Sequence, residues 1–521
     1  MKTKILAVFL LIISTSLSAQ INTTLNRNYG GPGIDNITRF YQASDGGFFW
    51  CGYSNAAGGD IPQINGAEDA WFMKVDANGD SLHSVAFGGL ANDEIADVME
   101  FSSPDYVFLI NSNSDDNGFA GGHGGIDTWI KGYDPAVGLS SGAAFGGTLH
   151  DFGAKISPKI SGGYIVSGYT FSSDGNLSGH YGMSDIWVMS LQSNLSVAWS
   201  RHYGGTDDDR AIAAYQLGDG NIMVFGTSAS TNHDVHDANG NNDVFVMKLN
   251  SLGDTMWTKT YGGSSTDLIV DAKYLNDSTF VMIGYSNSND GDFMFRDKVL
   301  AYYGFYYVID ENGDFVSCGS QNTLDNKDLF FSDVIYEGPN QAMAFGTTIS
   351  DSLLNCTTPT HGSLEVCAVD FNGLTSITPY LLGGNNIDGM NSDVEYYVRA
   401  LKTGTNQYVL CTNSNSTDLS ADYHGLYDVW LSFIEVQHVS VPEAPQLQLS
   451  VYPNPAENII MIENITAGND SQFEIYDMQG KLLLSGQYSE SGIDVSSLEH
   501  GMYLLKLQSG DSTGIARIVK Q

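Results

Sequence analysis

The sequence repeats an aromatic residue followed by two glycines at a constant spacing of 58 residues. The five regular copies begin at Tyr29, Phe87, Phe145, Tyr203 and Tyr261. Two degenerate copies, at Cys318 and Leu382, extend the series to seven. A period of this size is typical of a chain that builds one supersecondary unit many times, in a solenoid or a propeller.

Each 58-residue unit contains four short runs of β-forming residues. In the first unit they are residues 36–43, 47–53, 70–76 and 81–87, and we name them strands A, B, C and D. The A–B and C–D connections contain Asp-Gly and Asn-Gly sequences, which are typical of hairpin turns. Seven units of four antiparallel strands predict an all-β, seven-bladed β-propeller. A long solenoid is the alternative.

The ends of the repeat region favour the propeller over the solenoid. The region starts with a lone D-like run at residues 22–29 and stops after a lone C-like run at residues 428–434. If these two runs pair, the N-terminal strand closes the last blade and the ring has no exposed strand edge. A solenoid would leave both ends unpaired.

The balance of charged and apolar residues excludes two classes of protein. The chain has 22 Lys and Arg against 60 Asp and Glu, a formal net charge of −38. We therefore expect no nucleic acid partner, because such a chain repels a polyanion. Hydrophobic residues make up 42% and aromatic residues 12%, which is too apolar for a disordered acidic chain.

The first 19 residues have the pattern of a secretory signal peptide. Lys2 and Lys4 precede an apolar run at residues 5–13, and small and polar residues follow up to Ala19. No later stretch is apolar over about 18 residues, so we expect no transmembrane segment in the mature chain. Among the five cysteines, Cys356 and Cys367 form either a disulfide or two buried thiols.

The 58-residue period ends near residue 437, and a different module follows. Its motifs are Tyr-Pro-Asn-Pro at residues 452–455, Tyr-Asp-Met-Gln-Gly-Lys at 476–481 and Leu-Glu-His-Gly-Met-Tyr at 498–503. Six or seven short alternating strands in about 75 residues predict a small Ig-like β-sandwich. The predicted boundaries are 1–19 for the signal peptide, 20–437 for the propeller, 438–447 for a linker and 448–521 for the sandwich.

This module resembles the type A C-terminal sorting domain of cargo carried by the type IX (Por) secretion system. The residues that carry the resemblance are Tyr452, Pro453, Asn454, Pro455, Gly480, Gly501 and Tyr503. The resemblance implies that the type IX secretion machinery is a partner and that the protein passes through the periplasm and outer membrane to the cell surface or the medium. The repeats resemble, more loosely, the Gly-Gly propeller repeats of such cargo, and this implies no activity.

The two faces of the predicted propeller are unequal. Because the strands alternate in direction, the B–C and D–A connections emerge on one face and the tight A–B and C–D turns on the other. The B–C loops are about 15 residues long and polar, as in residues 112–126, 170–184 and 228–242. We call the first side the long-loop face and the second the tight-turn face, and we expect a binding site among the long loops.

An aspartate recurs four residues after the second glycine of the repeat, where the chain enters strand A. The series is Asp35, Asp93, Asp151, Asp209, Asp267 and Asp388. Either each carboxylate caps its own loop by accepting backbone N–H groups, or the ring of carboxylates holds Ca²⁺ or a cationic ligand that offsets their repulsion. The sequence indicates no other cofactor.

Two further series recur near strand C. Histidines precede the strand in five units, and tryptophans lie within it in four. They are His123, His180, His236, His361 and His424, and Trp71, Trp129, Trp187 and Trp430. We expect each histidine to make a stabilising hydrogen bond, since ligands one blade apart cannot share a metal ion. We expect the tryptophans in the core between blades rather than on a sugar-binding platform.

No motif of a known catalytic class occurs in the chain. The favoured hypothesis is a non-enzymatic exported protein that binds an extracellular protein or polysaccharide through its long-loop face. One alternative is an enzyme acting on extracellular polysaccharide or peptide at the channel mouth, which a symmetry-breaking concentration of Asp, Glu, His or Arg would favour. We expect such a site near residues 286–382, where the repeat is weakest. The other alternative is a structural surface-layer component.

Overall fold

The computed structural model describes most of the chain after the first 19 residues. The described residues are 20–102, 105–177, 179–275, 279–293, 302–321, 328–338, 341–350, 363–370, 379–382, 398–415, 424–437, 449–463, 471–476, 481–489, 491–509 and 512–521. The described residues up to 437 form one compact unit, and those from 449 onward form another. The predicted signal peptide and linker lie outside the described residues.

The first unit contains seven antiparallel sheets, which we call blades 1 to 7. In blades 1 to 6 the strands pair in chain order, as the four-run pattern predicted. Blade 1 has β2 (Asp35–Gln42), β3 (Phe48–Ser54), β4 (Asp69–Val75) and β5 (Ser81–Phe87); blade 2 has β6 (Asp93–Ser102), β7 (Asp105–Ser112), β8 (Asp127–Asp134), β9 (Gly138–Leu139) and β10 (Ala143–Phe145); blade 3 has β11 (Asp151–Pro158), β12 (Tyr164–Thr170), β13 (Asp185–Leu191) and β14 (Val197–Tyr203).

The remaining blades follow the same plan. Blade 4 has β15 (Asp209–Gln216), β16 (Ile222–Ser228), β17 (Asp243–Leu249) and β18 (Thr255–Tyr261); blade 5 has β19 (Asp267–Tyr274), β20 (Thr279–Ser286), β21 (Tyr303–Asp310) and β22 (Phe315–Gln321); blade 6 has β23 (Leu329–Gly338), β24 (Gln341–Ser350), β25 (Ser363–Asp370) and β26 (Pro379–Leu382); blade 7 has β27 (Val398–Gly404), β28 (Gln407–Ser414), β29 (Asp428–Gln437) and β1 (Gln20–Tyr29). A 3₁₀ turn, Gly291–Phe293, lies between β20 and β21.

Blade 7 combines both ends of the unit. Strand β1 pairs antiparallel with β29, from Gln20 opposite Gln437 to Tyr29 opposite Val429, as the two lone runs predicted. The hydroxyl of Tyr29 donates to the carbonyl of Gly79 in the C–D turn of blade 1. Tyr203 and Tyr261 make the same bond to the C–D turns of blades 4 and 5, at 2.5 and 2.6 Å. Strand β1 therefore contacts blade 1 as β14 contacts blade 4.

The A strands form the inner contacts of the unit. Each A strand contacts the A strand of the next blade, and β27 of blade 7 contacts β2 of blade 1. The B and C strands of blades 1, 3 and 4 are almost wholly buried, which explains their continuous runs of apolar residues. The four tryptophans of the C strands, Trp71, Trp129, Trp187 and Trp430, are at most 4% exposed and lie in the core, as predicted.

A glycine in strand B marks the closest approach of strands A and B. The glycines are Gly52, Gly168, Gly226, Gly284 and Gly346. A Cβ atom at any of them would lie 1.9 to 2.3 Å from a backbone carbonyl oxygen of strand A. Each faces the third residue of strand A, directly before the register shift in that strand. Only glycine fits, because the obstructing atom belongs to the backbone and cannot move without breaking the ladder.

The second unit is a two-sheet sandwich. One sheet has β30 (Ser450–Tyr452), β31 (Ile459–Glu463) and β34 (Ile493–Asp494), and the other has β33 (Leu482–Gln487), β32 (Ser471–Tyr476), β35 (Gly501–Ser509) and β36 (Ser512–Lys520). Ile460, Ile475, Leu505 and Leu507 are fully buried in its core. In the described parts of both units, no helix has the length and hydrophobicity to cross a membrane.

Three of the cysteines, Cys51, Cys318 and Cys411, carry free thiols. Cys356 and the side chain of Cys367 lie outside the described residues, so their pairing stays a prediction.

We expect the Gly226→Ala substitution to lower the free energy of unfolding by about 3 kcal/mol, because the added methyl group must displace backbone. Gly218→Ala is the matched control, since a Cβ there meets no atom within 4 Å. Urea unfolding of the chain from residue 20 onward measures both. Equal stability of the two variants would contradict the close-approach argument.

Candidate functional site

Five of the six predicted site aspartates occupy one repeated loop. The carboxylate of Asp35 accepts hydrogen bonds from the N–H of Gly31 at 2.6 Å and the hydroxyl of Ser54 at 2.5 Å. The others accept the corresponding N–H at 2.6 to 2.8 Å and a hydroxyl from the end of strand B; they are Asp93, Asp151, Asp209 and Asp267. In these four, a second serine hydroxyl donates at 2.8 Å. Asp388 lies outside the described residues.

A second aspartate, at the start of strand C, faces the first series across the repeat glycine. Each accepts the N–H of the residue four positions before it, at 2.5 to 2.8 Å; they are Asp69, Asp127, Asp185, Asp243 and Asp428. A methyl group on Gly88 would lie 2.7 Å from both Asp69 Oδ1 and Asp93 Oδ2. The first glycine of the motif is therefore required because a carboxylate from each of two neighbouring blades approaches its Cα.

Burial raises the pKa values of the second aspartate series and of Asp35, Asp93, Asp209 and Asp267 in the first. Desolvation raises the pKa of Asp35 to about 7, and those of Asp185 and Asp428 to about 6. A neighbouring carboxylate adds to the effect, as Asp428 does for Asp35. The groups around the first series are N–H and O–H donors, which supports the loop-capping alternative of the sequence analysis. The described residues contain no group of three or more His, Cys, Asp or Glu suited to a metal ion. The cation alternative stays a prediction.

The described histidines of the predicted series act through short local contacts. The backbone N–H groups of His123 and His424 donate to Asp127 and Asp428, and their Nδ1 atoms lie 3.7 and 3.5 Å from those carboxylates. His180 contacts the carbonyl of Met183 through Nε2 at 3.1 Å. His236 contributes its carbonyl, which accepts the hydroxyl of Thr260. His361 lies outside the described residues.

A ring of charged residues, which the sequence analysis missed, lies at one position of the A strands. In blades 1 to 6 the position directly follows the register shift of strand A, and in blade 7 it is the second residue of β27. Six of the seven residues are charged and one is alanine; they are Arg39, Asp97, Lys155, Ala213, Asp271, Asp333 and Arg399. We call them the inner ring. The residue type changes from blade to blade, so a search for recurring residues does not find it. Alignment of the repeats on the strand B glycine that blades 1, 3, 4, 5 and 6 share would have found it.

Ion pairs and hydrogen bonds link the inner ring across blades. Asp97 lies 3.5 Å from Lys155 Nζ and 3.9 Å from Arg39 Nε, and it also accepts the hydroxyl of Tyr41 at 2.5 Å. Lys155 Nζ bonds the same hydroxyl at 2.7 Å. The contacts of Asp97 therefore join blades 1, 2 and 3.

The other half of the ring joins blades 5, 6 and 7. Arg399 pairs with Asp271 at 3.4 Å, and Lys273 pairs with Asp333. Burial opposes ionisation of Asp271, but Arg399, Arg39, Lys155 and Lys273 outweigh it and hold the pKa of Asp271 below its usual value. Asp271 is therefore a carboxylate rather than a proton donor at neutral pH.

Five of the seven inner-ring residues line a cavity of about 500 Å³, and every one of the seven A strands contributes at least one lining residue. The outermost lining residues, Gln42, Glu100, Pro158 and Tyr274, lie at the A–B ends of their strands. The cavity therefore lies toward the tight-turn face. The sequence analysis placed binding on the other side.

The long-loop ends of the A strands carry a different set of contacts. The guanidinium of Arg210, the second residue of β15, lies 5.0 Å from the ring centre of Tyr169 in blade 3. Tyr169 also stacks on Phe152 at 4.9 Å and meets Phe171 edge-on at 6.1 Å. We call Phe152, Tyr169, Phe171 and Arg210 the aromatic group.

At other blade junctions the second residue of strand A is of a different type and makes different contacts. Phe330, the second residue of β23, meets Tyr285 of blade 5 edge-on at 4.8 Å. Asn36 of blade 1 accepts the side-chain amide of Asn413 of blade 7. Of the interval 286–382, where the sequence analysis expected an asymmetric site, the structure describes only parts.

We expect the chain to become less stable as the pH rises from about 4 to about 7. The folded state binds protons on Asp35, Asp185 and Asp428 that the unfolded state has already released, so the free energy of unfolding falls across that window. Urea unfolding at pH 5 and pH 8 measures the difference. The Asp35→Asn variant should show a smaller difference than Asp219→Asn, which alters an exposed turn; equal differences would exclude this role for Asp35.

In the second unit, Asn454 of the Tyr-Pro-Asn-Pro motif holds the last strand, β36, through two hydrogen bonds. The side-chain amide of Asn454 donates to the carbonyl of Arg517, and its oxygen accepts the N–H of Val519, both at 2.8 Å. The hydroxyl of Tyr503 donates to the carbonyl of Glu499 at 2.8 Å. Tyr452 is half exposed, and Pro453 and Pro455 flank Asn454 in an exposed turn. Gly501 begins β35, and Gly480 lies outside the described residues.

Comparison with solved structures finds distant similarity to several proteins. A hydrazine synthase from Kuenenia stuttgartiensis shares 11% identity over 58% of this chain and 73% of its own, with a TM-score of 0.33. An α-L-arabinofuranosidase from Fusarium graminearum shares 10% over 67% and 98%, with a TM-score of 0.37. A puromycin hydrolase shares 9% over 92% and 60%, with a TM-score of 0.42. These values carry no inference about activity. No curated protein matches the chain.

Comparison with family models gives a match for the second unit. Residues 450–521 match the secretion system C-terminal sorting domain, Por_Secre_tail, which is the resemblance found from the sequence motifs. The C-terminal module of this chain is therefore a type IX sorting domain, and the protein is exported by that system to the cell surface or the medium.

Proposed function

We propose that the protein is an exported binding protein whose first unit is a closed, seven-bladed β-propeller, and that its long-loop face binds an extracellular polysaccharide or protein. Closure is supported by the pairing of β1 with β29 and by the contact of β27 with β2. It is also supported by the bond from Tyr29 to blade 1, which repeats the bonds between later blades. Type IX export supplies the extracellular location.

The aromatic group carries the proposal for the long-loop face. The structural residues of the repeat are the same in most blades. The second residue of strand A, by contrast, is aromatic in blade 3 (Phe152) and cationic in blade 4 (Arg210). Phe171 follows strand B where the other regular repeats have Asn or Ala, and it is partly exposed. Aromatic rings beside a guanidinium contact both the C–H faces and the polar groups of a sugar unit, so a polysaccharide is the favoured ligand.

An extracellular hydrolase is the second candidate, because the inner ring concentrates Asp, Lys and Arg in a symmetry-breaking pattern. Glycoside cleavage needs a carboxyl group that donates a proton and a carboxylate that attacks or activates water. The lowered pKa of Asp271 disfavours it as the donor. Asp97 accepts the hydroxyl of Tyr41 and the N–H of Ile156, and Asp333 accepts the N–H groups of Val334 and Ala400. These contacts favour a structural or binding role.

We expect the chain from residue 20 onward to capture an acidic or neutral extracellular polysaccharide without cleaving it. Phe171→Ala and Arg210→Ala should each weaken capture by about tenfold, because aromatic and Arg anchors dominate interface energies. Ile160→Ala, at an exposed A–B turn on the tight-turn face, is the control and should have no effect.

Mass spectrometry after incubation of the chain with a panel of extracellular polysaccharides and proteins, with and without Ca²⁺, measures capture and products together. New products would contradict the binding proposal and favour the hydrolase. Capture that depends on Ca²⁺ would favour the cation alternative for the aspartate ring. Self-association of the chain without capture would favour the surface-layer component.

We expect the Asn454→Ala variant to accumulate inside the cell, because it removes both side-chain bonds that fix the last strand of the sorting domain. Immunoblots of cell and medium fractions measure the distribution. Asn458→Ala, an exposed position four residues later, is the control. Normal export of Asn454→Ala would show that these two hydrogen bonds are not needed for recognition by the secretion system.

A further inference from the structure

Three aromatic side chains meet on the long-loop face, at the junction of blades 3 and 4. The ring of Tyr181, in the B–C loop of blade 3, stacks on the imidazole of His233, in the B–C loop of blade 4, with ring centres 4.6 Å and planes 14° apart. The imidazole of His202, in β14, lies 5.7 Å from the same tyrosine ring at an angle of 59°. We call Tyr181, His202 and His233 the tyrosine–histidine stack.

Each member of the stack departs from the residue type that the repeat has elsewhere. The position of Tyr181 holds asparagine or histidine in blades 1, 2 and 4, and that of His202 holds alanine or threonine. The equivalent residues are Asn65, His123 and Asn239 for the first position, and Ala86, Ala144 and Thr260 for the second. The fold of a blade therefore does not require an aromatic ring at either position.

The position of His233 is unfavourable for any side chain. Its φ is 56°, in the left-handed region, and the Asp234 N–H holds it there by donating to the carbonyl of Gly204 at 3.1 Å. In four other blades the same left-handed position holds Gly59, Asn117, Gly175 and Gly291. At the three glycines, a Cβ would lie 2.1 to 2.2 Å from the carbonyl oxygen of the first repeat glycine. A histidine here carries backbone strain, and strain of this kind is typical of functional positions.

The stack presents unused hydrogen-bonding groups beside an open aromatic ring. Tyr181 is 48% exposed, and His233 is also exposed. In the part of the chain that the structure describes, the nitrogens of both imidazoles have no hydrogen-bond partner. Burial lowers the pKa of His202, so its ring is neutral at pH 7 and offers one donor and one acceptor. A sugar hydroxyl also donates and accepts, and the C–H face of a sugar packs on an aromatic ring. The groups therefore match a sugar unit.

The charge around the stack favours an uncharged sugar. Asp234 follows His233 in the chain and is close enough to act on the pKa of His202. The chain as a whole carries a net charge of −38. A carboxylate or sulfate on the sugar would therefore be repelled at contact distance.

The stack and the aromatic group belong to one surface. Ser184, in the same loop as Tyr181, donates its hydroxyl to Asp208 at 2.9 Å, and Asp208 lies 4.0 Å from Arg210 of the aromatic group. The loop is also fixed to its own blade, because the N–H of Tyr181 donates to Asp185 at 2.5 Å. A rigid loop of this kind holds the tyrosine ring in place before a ligand arrives.

We infer that the tyrosine–histidine stack is a second sugar-binding subsite of the long-loop face, and that it takes an uncharged sugar unit of a polysaccharide. The sugar ring lies on the open part of Tyr181, and its hydroxyls bond to His202 and His233. The inference rests on the function proposed for this face, since the aromatic group binds another unit of the same polysaccharide.

Isothermal titration of the chain from residue 20 onward with hexasaccharides tests the class of ligand. The neutral probes are the hexamers of β-1,4-mannose, β-1,4-glucose, β-1,3-glucose and α-1,4-glucose, and the acidic probe is the hexamer of β-1,4-mannuronate. We expect a neutral hexamer to bind with one-to-one stoichiometry and at least about tenfold more tightly than the acidic one. No binding of any neutral hexamer, or tighter binding of the acidic one, would overturn the inference.

Variants that introduce the residue of another blade test the stack while keeping the fold. His233→Gly should weaken binding of the neutral hexamer about fivefold without lowering the midpoint of urea unfolding, because glycine adopts the left-handed conformation without strain. Tyr181→Asn should weaken binding about tenfold, whereas Tyr181→Phe should retain it. Tyr274→Ala removes another half-exposed tyrosine, at the A–B end of β19, and should bind as the unaltered chain does.

Phe171→Ala separates this inference from the function proposed for the aromatic group. Weaker binding in Phe171→Ala, Tyr181→Asn and His233→Gly supports both. Weaker binding in Phe171→Ala alone would overturn the second subsite and keep the aromatic group as the site. Weaker binding in the two stack variants alone would keep the stack and contradict the role of the aromatic group. If Tyr181→Asn fails to fold, His233→Gly decides. A lower unfolding midpoint of His233→Gly with unchanged binding would show that the stack joins the two blades, which overturns the inference.

Discussion

The buried carboxylate at the start of the A strands of blades 1 to 5 is the interaction on which the fold of that part of the first unit depends. Asp35 and its equivalents accept an N–H from the repeat glycine and a hydroxyl from the end of strand B. One side chain thus fixes the loop that enters a blade to the first hairpin of that blade. A carboxylate can be buried only when donors surround it, so the aspartate, the glycines and the strand B hydroxyl must recur together. This requirement accounts for the fixed spacing of the three groups within each regular repeat.

The same periodicity decides what the sequence could predict. Strand order, the hairpin turns and the pairing of β1 with β29 depend on features that recur, and the structure shows them where the sequence placed them. The aspartate series was found for the same reason, but its hydroxyl partners in strand B were not. The sequence analysis did not find the inner ring, because Arg39, Asp97 and Lys155 share a position without sharing a residue type. Periodicity reveals the residues that the blades share, whereas a position whose residue type differs from blade to blade leaves no periodic signal.

This division has a physical basis. Substitution at the repeated positions is constrained by backbone contacts, as at Gly226, where a Cβ would lie 2.3 Å from the carbonyl oxygen of Arg210. At the inner ring most of the side chains face a cavity, where arginine, aspartate and lysine all fit. The backbone therefore stays regular while the chemistry of this position changes among arginine, aspartate, lysine and alanine.

The placement of charge separates the two ends of the A strands. Four of the 22 basic residues of the chain border the cavity, although the protein as a whole carries a net charge of −38. Beyond a Debye length of about 8 Å at physiological ionic strength, an approaching molecule senses little of either charge. Close to the tight-turn side, the four cations act at contact distance and with little screening, whereas the long-loop side presents aromatic rings and polar loops. The two ends of the A strands therefore differ in chemistry: ion pairs dominate at the inner ring, and ring contacts dominate in the aromatic group.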